Sequence, residues 1–152
     1  MIRKLKKEDA EELFAEIDGQ YGSKLVLEGM FLSKDEKRES RKLFLYTGDA
    51  LPDVPAEWTG IHFCTIRDGV VFPSIEGAEA IGKTASKAIE LSREEAEYIM
   101  SGRDVVIGEE TQAGYYILKA GDDILGIGLV EGKKVINQTP KSRRTRQQYR
   151  TI

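Results

Sequence analysis

The stretch GYYILKAGDDILGIGLVEGKKVINQ, Gly114 to Gln138, decides how the chain is read. It breaks into three strand candidates, GYYILKA, ILGIGLV and KKVINQ, separated by Gly121-Asp122-Asp123 and by Glu131-Gly132. Short strands joined by tight turns, with few helices among them, predict a small, partly closed β-barrel. Gly126-x-Gly128 lies inside an apolar strand and precedes no helix, so it is no dinucleotide fingerprint. Its glycines are expected at a bulge or at a close backbone approach.

Upstream, DVVIG supplies a further strand, set off by GEETQA. Ser92-Arg93-Glu94-Glu95 has the form of a capping box and predicts a helix that ends near Gly102. KAIEL before it reads as a short strand. IHFCTI and VVF flank Arg67-Asp68-Gly69, and Asp-Gly supplies the positive φ angles of a tight hairpin. Pro73-Ser74 then opens a short helix to about Ile81, with Ser74 as its N-cap.

At the other end, Ala10, Leu13, Phe14, Ile17 and Tyr21 recur at helical spacing. They predict a helix over Lys7–Asp18 that Gly19 stops. KLVL with MFL, and then KLFLYTGD, read as two strands joined by the charged, solvated SKDEKRESRK. GDALPDVPAEW, with Pro52, Pro55 and the chain's one tryptophan, reads as a boundary between subdomains. The predicted class is α+β. A small α/β subdomain covers residues 1–57, a barrel with short helices covers 58–140, and a basic tail covers 141–152.

GAEAIGKT, Gly77 to Thr84, matches the phosphate-loop pattern G-x-x-x-x-G-K-[ST]. Its setting is wrong for one. A phosphate loop leaves a buried parallel strand, wraps phosphate in backbone N–H groups and launches a long helix. Here VVF runs into Pro73-Ser74, and Ala78-Glu79-Ala80-Ile81 favours helix over a wrapping loop. Glu79 would also set a carboxylate beside the phosphates. Beyond Thr84 the chain reads as antiparallel β and not as repeated βα units. Gly82 is therefore expected at the C′ position of the short helix, with Lys83 a surface base just beyond it.

The 152 residues, 40% apolar and 32% charged, suffice for one compact domain or two small ones. No apolar run approaches the roughly 20 residues needed to cross a bilayer. MIRKLKKEDAEELF lacks the apolar core of a secretory signal. Cys64, the single cysteine, can form no internal disulfide, which fits a reducing cytoplasm. One histidine and one cysteine assemble none of the common zinc sites, so no metal and no cofactor is expected. Alternation puts His62 on the strand face of Cys64 and Ile66. A His–Cys nucleophile pair would need an orienting acid that the sequence does not specify. Half-buried structural roles are the expectation.

The net charge of −3 hides a polar distribution. From Gly132 onward there is no Asp or Glu, yet Lys133, Lys134, Lys141, Arg143, Arg144, Arg146 and Arg150 follow. That segment carries +7 and leaves −10 on residues 1–131. A basic patch on an acidic body takes polyanions as partners. A solvated, frayed C-terminus is the other reading, and charge alone leaves both open.

From Pro73 to Arg144 the order is PSIEGAEAIG, a strand, LSREEAEYIMSGRDVVIG, and GYYILKAGDDILGIGLVEGKKVINQTPKSRR. This resembles a PUA-like domain, the RNA-binding fold named for pseudouridine synthases and archaeosine transglycosylases. In particular it resembles the PUA-like domain appended to Sun/Fmu-type rRNA cytosine-C5 methyltransferases. There a "plG-x-G" strand leads into a "KN-x-x-P-K-x-x-R" ending. Here Ile124-Leu125-Gly126-Ile127-Gly128 and Val135 to Arg144 hold those places. The family's Lys before Asn is Ile136, with Lys133 and Lys134 close by. LKKEDAEELFAEIDGQYG followed by strands resembles the pre-PUA domain of a small ribosome-biogenesis factor family shared by archaea and eukaryotes. The chain carries no Rossmann-like methyltransferase domain and no S-adenosylmethionine glycine loop. It has no cysteine in a Pro-Cys setting either, since Phe63 precedes Cys64.

The resemblance implies a non-catalytic, cytoplasmic RNA-binding protein. Its partner would be structured rRNA or tRNA in ribosome biogenesis or RNA modification, with neither DNA nor membrane involved. PUA-like domains grip RNA through phosphates and the shallow minor groove with its 2′-hydroxyls. On that footing Gly77 gives the backbone a close approach, with Gly82, and Lys83 takes a phosphate. The last strand and tail supply Lys134, Asn137, Lys141, Arg143, Arg144 and Arg146. Asn137 both donates and accepts, which suits a 2′-hydroxyl or a base edge. The arginines can fork onto phosphate oxygens. The alternative is a protein–protein adaptor whose acidic first half docks an RNA methyltransferase or a pre-ribosomal factor.

Overall fold

The computed structural model describes residues 2–27, 30–35, 40–46 and 60–138. Its class is α+β, and the chain divides into two compact units, Met1–Ala85 and Ser86–Ile152. The first unit runs β1 (Ile2–Lys4), α1 (Lys7–Tyr21), β2 (Met30–Asp35), β3 (Ser40–Tyr46), β4 (Ile61–Arg67), β5 (Val70–Pro73) and α2 (Ile75–Gly82). Its strands form an antiparallel sheet in the order β1-β2-β3-β4-β5.

The division between Ala85 and Ser86 does not coincide with the expected 57/58 boundary. The reason is that β4 hydrogen-bonds along β3 and draws the Arg67-Asp68-Gly69 hairpin and α2 into the first sheet. The hairpin itself is as expected, with φ of 52° at Asp68 and 77° at Gly69. The proline-containing GDALPDVPAEW lies outside the described residues.

Helix α1 buries Leu13, Ile17 and Tyr21. It runs past the expected stop: Gly19 is an exposed residue within the helix, and Gly22, at φ 61°, ends it. The last turn is held from outside. The Tyr21 hydroxyl donates to the Val71 carbonyl at 2.7 Å. Gln20 bonds Val71 in both directions, through Nε2 to the carbonyl and from the Val71 N–H to Oε1, each at 2.9 Å. These bonds outweigh the roughly 1 kcal/mol helix penalty of one glycine. They also occupy the open edge of β5, where another strand could otherwise add.

GAEAIGKT forms helix, not a phosphate loop. Ser74 caps α2, its Oγ accepting the Gly77 N–H at 3.0 Å. Gly82 is not the left-handed C′ residue expected. It is the last helical residue and is buried, and the cap falls on Lys83 in the right-handed region. The N–H groups of Thr84 and Ala85 then both reach the Ile81 carbonyl, so the turn closes without a positive φ.

The second unit runs β6 (Ala88–Glu90), α3 (Arg93–Met100), β7 (Val105–Val106), β8 (Gly114–Ala120), β9 (Asp123–Glu131) and β10 (Lys134–Asn137). Its sheet, ordered β6-β8-β9-β10-β7, curls as a partly closed barrel and is antiparallel except between β6 and β8. The capping box starts α3 as expected, with both Ser92 and Glu95 bonds present. Its Ile99 packs with Leu91, Val105, Tyr116, Leu118, Val130 and Val135 in one core.

The bulge expected at the glycine pair is present at Gly126, whereas at Gly128 the close neighbours are side chains, not another backbone. The β8–β9 register shifts at Leu118/Lys119, leaving Leu125 unpaired, and Gly126 takes φ 131° at that bulge. At Gly128 a Cβ would press on Val135 Cγ1 at 2.6 Å and on Leu118 Cδ1 at 3.1 Å. The core closes over a position where no side chain fits.

Candidate nucleic-acid interface

Alternation along β10 turns Val135 and Asn137 toward the core under α3 and turns Lys134 and Ile136 away. The last carbonyls of a helix have no partner within it. At the end of α3 the Ile99 carbonyl takes the Gly102 N–H at 3.0 Å and also the Asn137 Nδ2 at 2.7 Å, and the same Nδ2 donates to the Arg103 carbonyl, just beyond the helix, at 3.0 Å. The Asn137 backbone N–H donates to Asp104 Oδ1 at 2.9 Å, and Asp104 Oδ2 lies 3.6 Å from Lys134 Nζ. Asn137 is 8% exposed and both amide hydrogens go to protein carbonyls. It therefore clamps β10 to the end of α3, where an exposed group for a 2′-hydroxyl or base edge was expected. Asp104, which gave no signal in the sequence, completes the clamp.

Lys134 stays at the surface, its side chain 56% exposed. Its ion pair with a half-exposed carboxylate is worth about 0–1 kcal/mol and leaves the ammonium able to take a phosphate. Lys133 beside it is exposed as well. Lys141, Arg143, Arg144 and Arg146 lie outside the described residues. Gln138 marks the point from which the chain leads into them.

The other two expected contacts belong to the first unit. Lys83 is exposed at the end of α2. Gly77 is buried, and a Cβ there would overlap the Phe63 carbonyl oxygen. The close backbone approach is real, but its partner is β4.

Residues 86–145 match the family model described as the methyltransferase RsmF PUA domain. This segment is a PUA-like domain of the Sun/Fmu type. No curated protein matches the chain. The match begins at the first residue of the second unit and runs through Lys141, Arg143 and Arg144. A PUA domain is an RNA-binding module and not a catalytic one, so RNA is the partner that it supports. The asparagine clamp thus sits inside the PUA-like domain, at the root of its basic ending. An open groove of about 400 Å³ runs beside α3, floored by Leu91, Ala96, Met100 and Leu125 and edged by Glu97 and Asp123.

Outside the PUA-like domain, the His62/Cys64 strand carries no nucleophile pair. The β3–β4 register shifts at Leu43/Phe44, which pairs Leu43 with Cys64 and Phe44 with His62 and leaves Phe63 as an extra residue. That bulge overturns the simple alternation: His62 faces Phe44 and Thr65, on the side opposite Cys64. Burial pushes the Cys64 thiol up to about 12, so it holds its proton at neutral pH. Among the described residues no group of three or more His, Cys, Asp or Glu could hold a metal ion. None of the described helices is long and apolar enough to cross a membrane.

Burial, and next the Lys42 ammonium, push the His62 imidazole below its ordinary 6.5, against the pull of the Cys64 backbone and Glu76. The unfolded chain then takes up the proton first as pH falls through 6.5. Stability contributed by neutral His62 is present above that pH and lost below it. Melting curves between about pH 7.5 and 5.5 should fall more for the native chain than for His62→Gln. Equal falls would remove His62 as the cause.

Proposed function

We propose that this chain is a non-catalytic RNA-binding protein, acting on structured rRNA or tRNA in ribosome biogenesis or RNA modification in the cytoplasm. One observation carries the reading: a PUA-like domain at residues 86–145 whose last strand, pinned by Asn137 and Asp104, leads directly into the cation-rich ending. In this reading Lys134, Lys141, Arg143, Arg144 and Arg146 contact phosphates, and Lys83 adds a contact from the first unit. Asn137 acts through position, by fixing where the ending leaves the barrel. The acidic body limits non-specific attraction to other polyanions.

Titration of a labelled rRNA hairpin with the intact chain at several salt concentrations tests this. Six phosphate contacts give a slope of log K against log salt of about −5.4, at about −0.9 per contact on a duplex. Absence of binding, or binding indifferent to salt, would sink the reading. A protein–protein adaptor is the second reading, and the groove beside α3, with Met100 44% exposed, favours it. It predicts an RNA methyltransferase or pre-ribosomal factor that stays bound after ribonuclease treatment.

A further inference from the structure

The direction of β10 matters as much as the bonds that pin it. Antiparallel pairing sets Asn137 opposite Gly128, so the chain past Gln138 heads for the start of β9, where Leu125 and Asp123 stand. Among the described residues, that stretch of β9 has a strand, β8, on one side only. From Gly128 to Leu125 is about 10 Å along a strand. Residues 139–152 lie outside the described residues, and a few of them suffice to cover that distance.

Leu125 is part of the floor of the groove beside α3, with Leu91, Ala96 and Met100. The charged groups at its edges are Glu97, Asp123 and Arg93, and Asp122, next in the turn, is exposed as well. Carboxylates thus outnumber cations around an apolar trough of about 400 Å³. Phosphates would be repelled there. A cationic segment with an apolar anchor is the occupant that fits.

Residues 139–152 have that chemistry. They carry Lys141, Arg143, Arg144, Arg146 and Arg150 with no Asp or Glu, and their large apolar side chains are Tyr149 and Ile152. Basic side chains lay their stems on apolar surface while the charged heads reach past it. A tyrosine ring against a methionine thioether is a favourable contact. The covalent tether also keeps this segment at the groove at an effective concentration on the order of millimolar.

We infer that the groove beside α3 holds the chain's own basic ending, with Tyr149 against Met100 and Leu125 and the arginines toward Asp123. Held there, the cations are withheld from phosphates, and RNA must displace the ending before it is gripped. The displacing ligand rests on the RNA-binding reading; the docking does not.

The test uses the intact chain and two substitutions that change no charge, Met100→Gln in the groove and Tyr149→Ser in the ending. Met100 is already 44% exposed, so the melting curve should stay native. Trypsin cuts after Lys141, Arg143, Arg144 and Arg146, and mass spectrometry reads the rate. Each variant should be cut at least about threefold faster than the native chain, and the double variant no faster than either single. Affinity for a labelled RNA hairpin should tighten by the same factor, because only the undocked ending is competent to bind. Variants that melt, are cut and bind RNA as the native chain does would overturn the inference and leave the groove to a partner protein. Faster cutting of the Tyr149→Ser chain alone would overturn it too, since the ending would then dock elsewhere. So would a weaker hairpin for Tyr149→Ser with native cutting, which would place Tyr149 on the RNA. Faster cutting of both variants in a chain that binds no hairpin would uphold the docking and sink the RNA-binding reading.

Discussion

Gly77→Ala is expected to destabilise the first unit by about 3 kcal/mol, at the upper end of what overpacking ordinarily costs. For a unit of this size that corresponds to a fall in Tm of more than about 10 °C. The added methyl would overlap the Phe63 carbonyl oxygen and lie 3.1 Å from its carbon. Neither atom can swing away as a flexible side chain could, because both belong to the backbone of β4. That same carbonyl accepts the Ser74 N–H at 2.9 Å, and Ser74 Oγ donates to the His62 carbonyl at 2.5 Å. Making room therefore lifts α2 off β4 and breaks the bonds that start the helix. Gly19→Ala is the control, since nothing lies within 4 Å of that position in α1. It should stabilise by about 0.8–1 kcal/mol, the difference in helix propensity. Thermal and urea unfolding of the intact variants read both effects. A Gly77→Ala chain that melts normally but binds RNA poorly would return Gly77 to the RNA surface.

Features set by a few neighbouring residues were legible in the sequence. Asp68-Gly69 requires positive φ whatever surrounds it, and the Ser92–Glu95 box and the Ser74 cap satisfy helix N–H groups within one turn. The three strands of Gly114–Gln138 and their bulge followed from turns and glycines in the same stretch. What escaped depends on partners far along the chain. Helix α1 outruns Gly19 because Val71, fifty residues away, holds Tyr21. His62 changes face because Phe63 is an extra residue against β3, and a bulge shifts every residue beyond it.

The candidate site divides along the same line. The basic ending was visible as composition, since charge can be counted without a fold. The role of Asn137 was not, because its partners are the carbonyls of Ile99 and Arg103, and no local pattern says where α3 will end relative to β10. A residue type that suits RNA equally suits a helix terminus, and burial decides between them.

Ending the chain after Gln138 should separate the charge of the ending from the strand that delivers it. The truncation removes Lys141, Arg143, Arg144, Arg146 and Arg150 and keeps all of β10, including the Asn137 and Asp104 bonds. Removing each cation that touches a phosphate should flatten the salt dependence of log K by about 0.7–0.9, and hairpin affinity at physiological salt should fall by at least about tenfold. The core under α3 is untouched, so melting should change little. Asn137→Ala should do the reverse. It removes the side-chain bonds to the Ile99 and Arg103 carbonyls, of which Ile99 keeps the Gly102 N–H, a loss of about 0.5–1.5 kcal/mol per bond, yet it removes no charge. Its salt slope should therefore stay native even where its affinity weakens through a loosened strand. Equal slopes for the native and truncated chains, with equal affinity, would make the ending solvated charge. The weight would then pass to the adaptor reading and the groove beside α3.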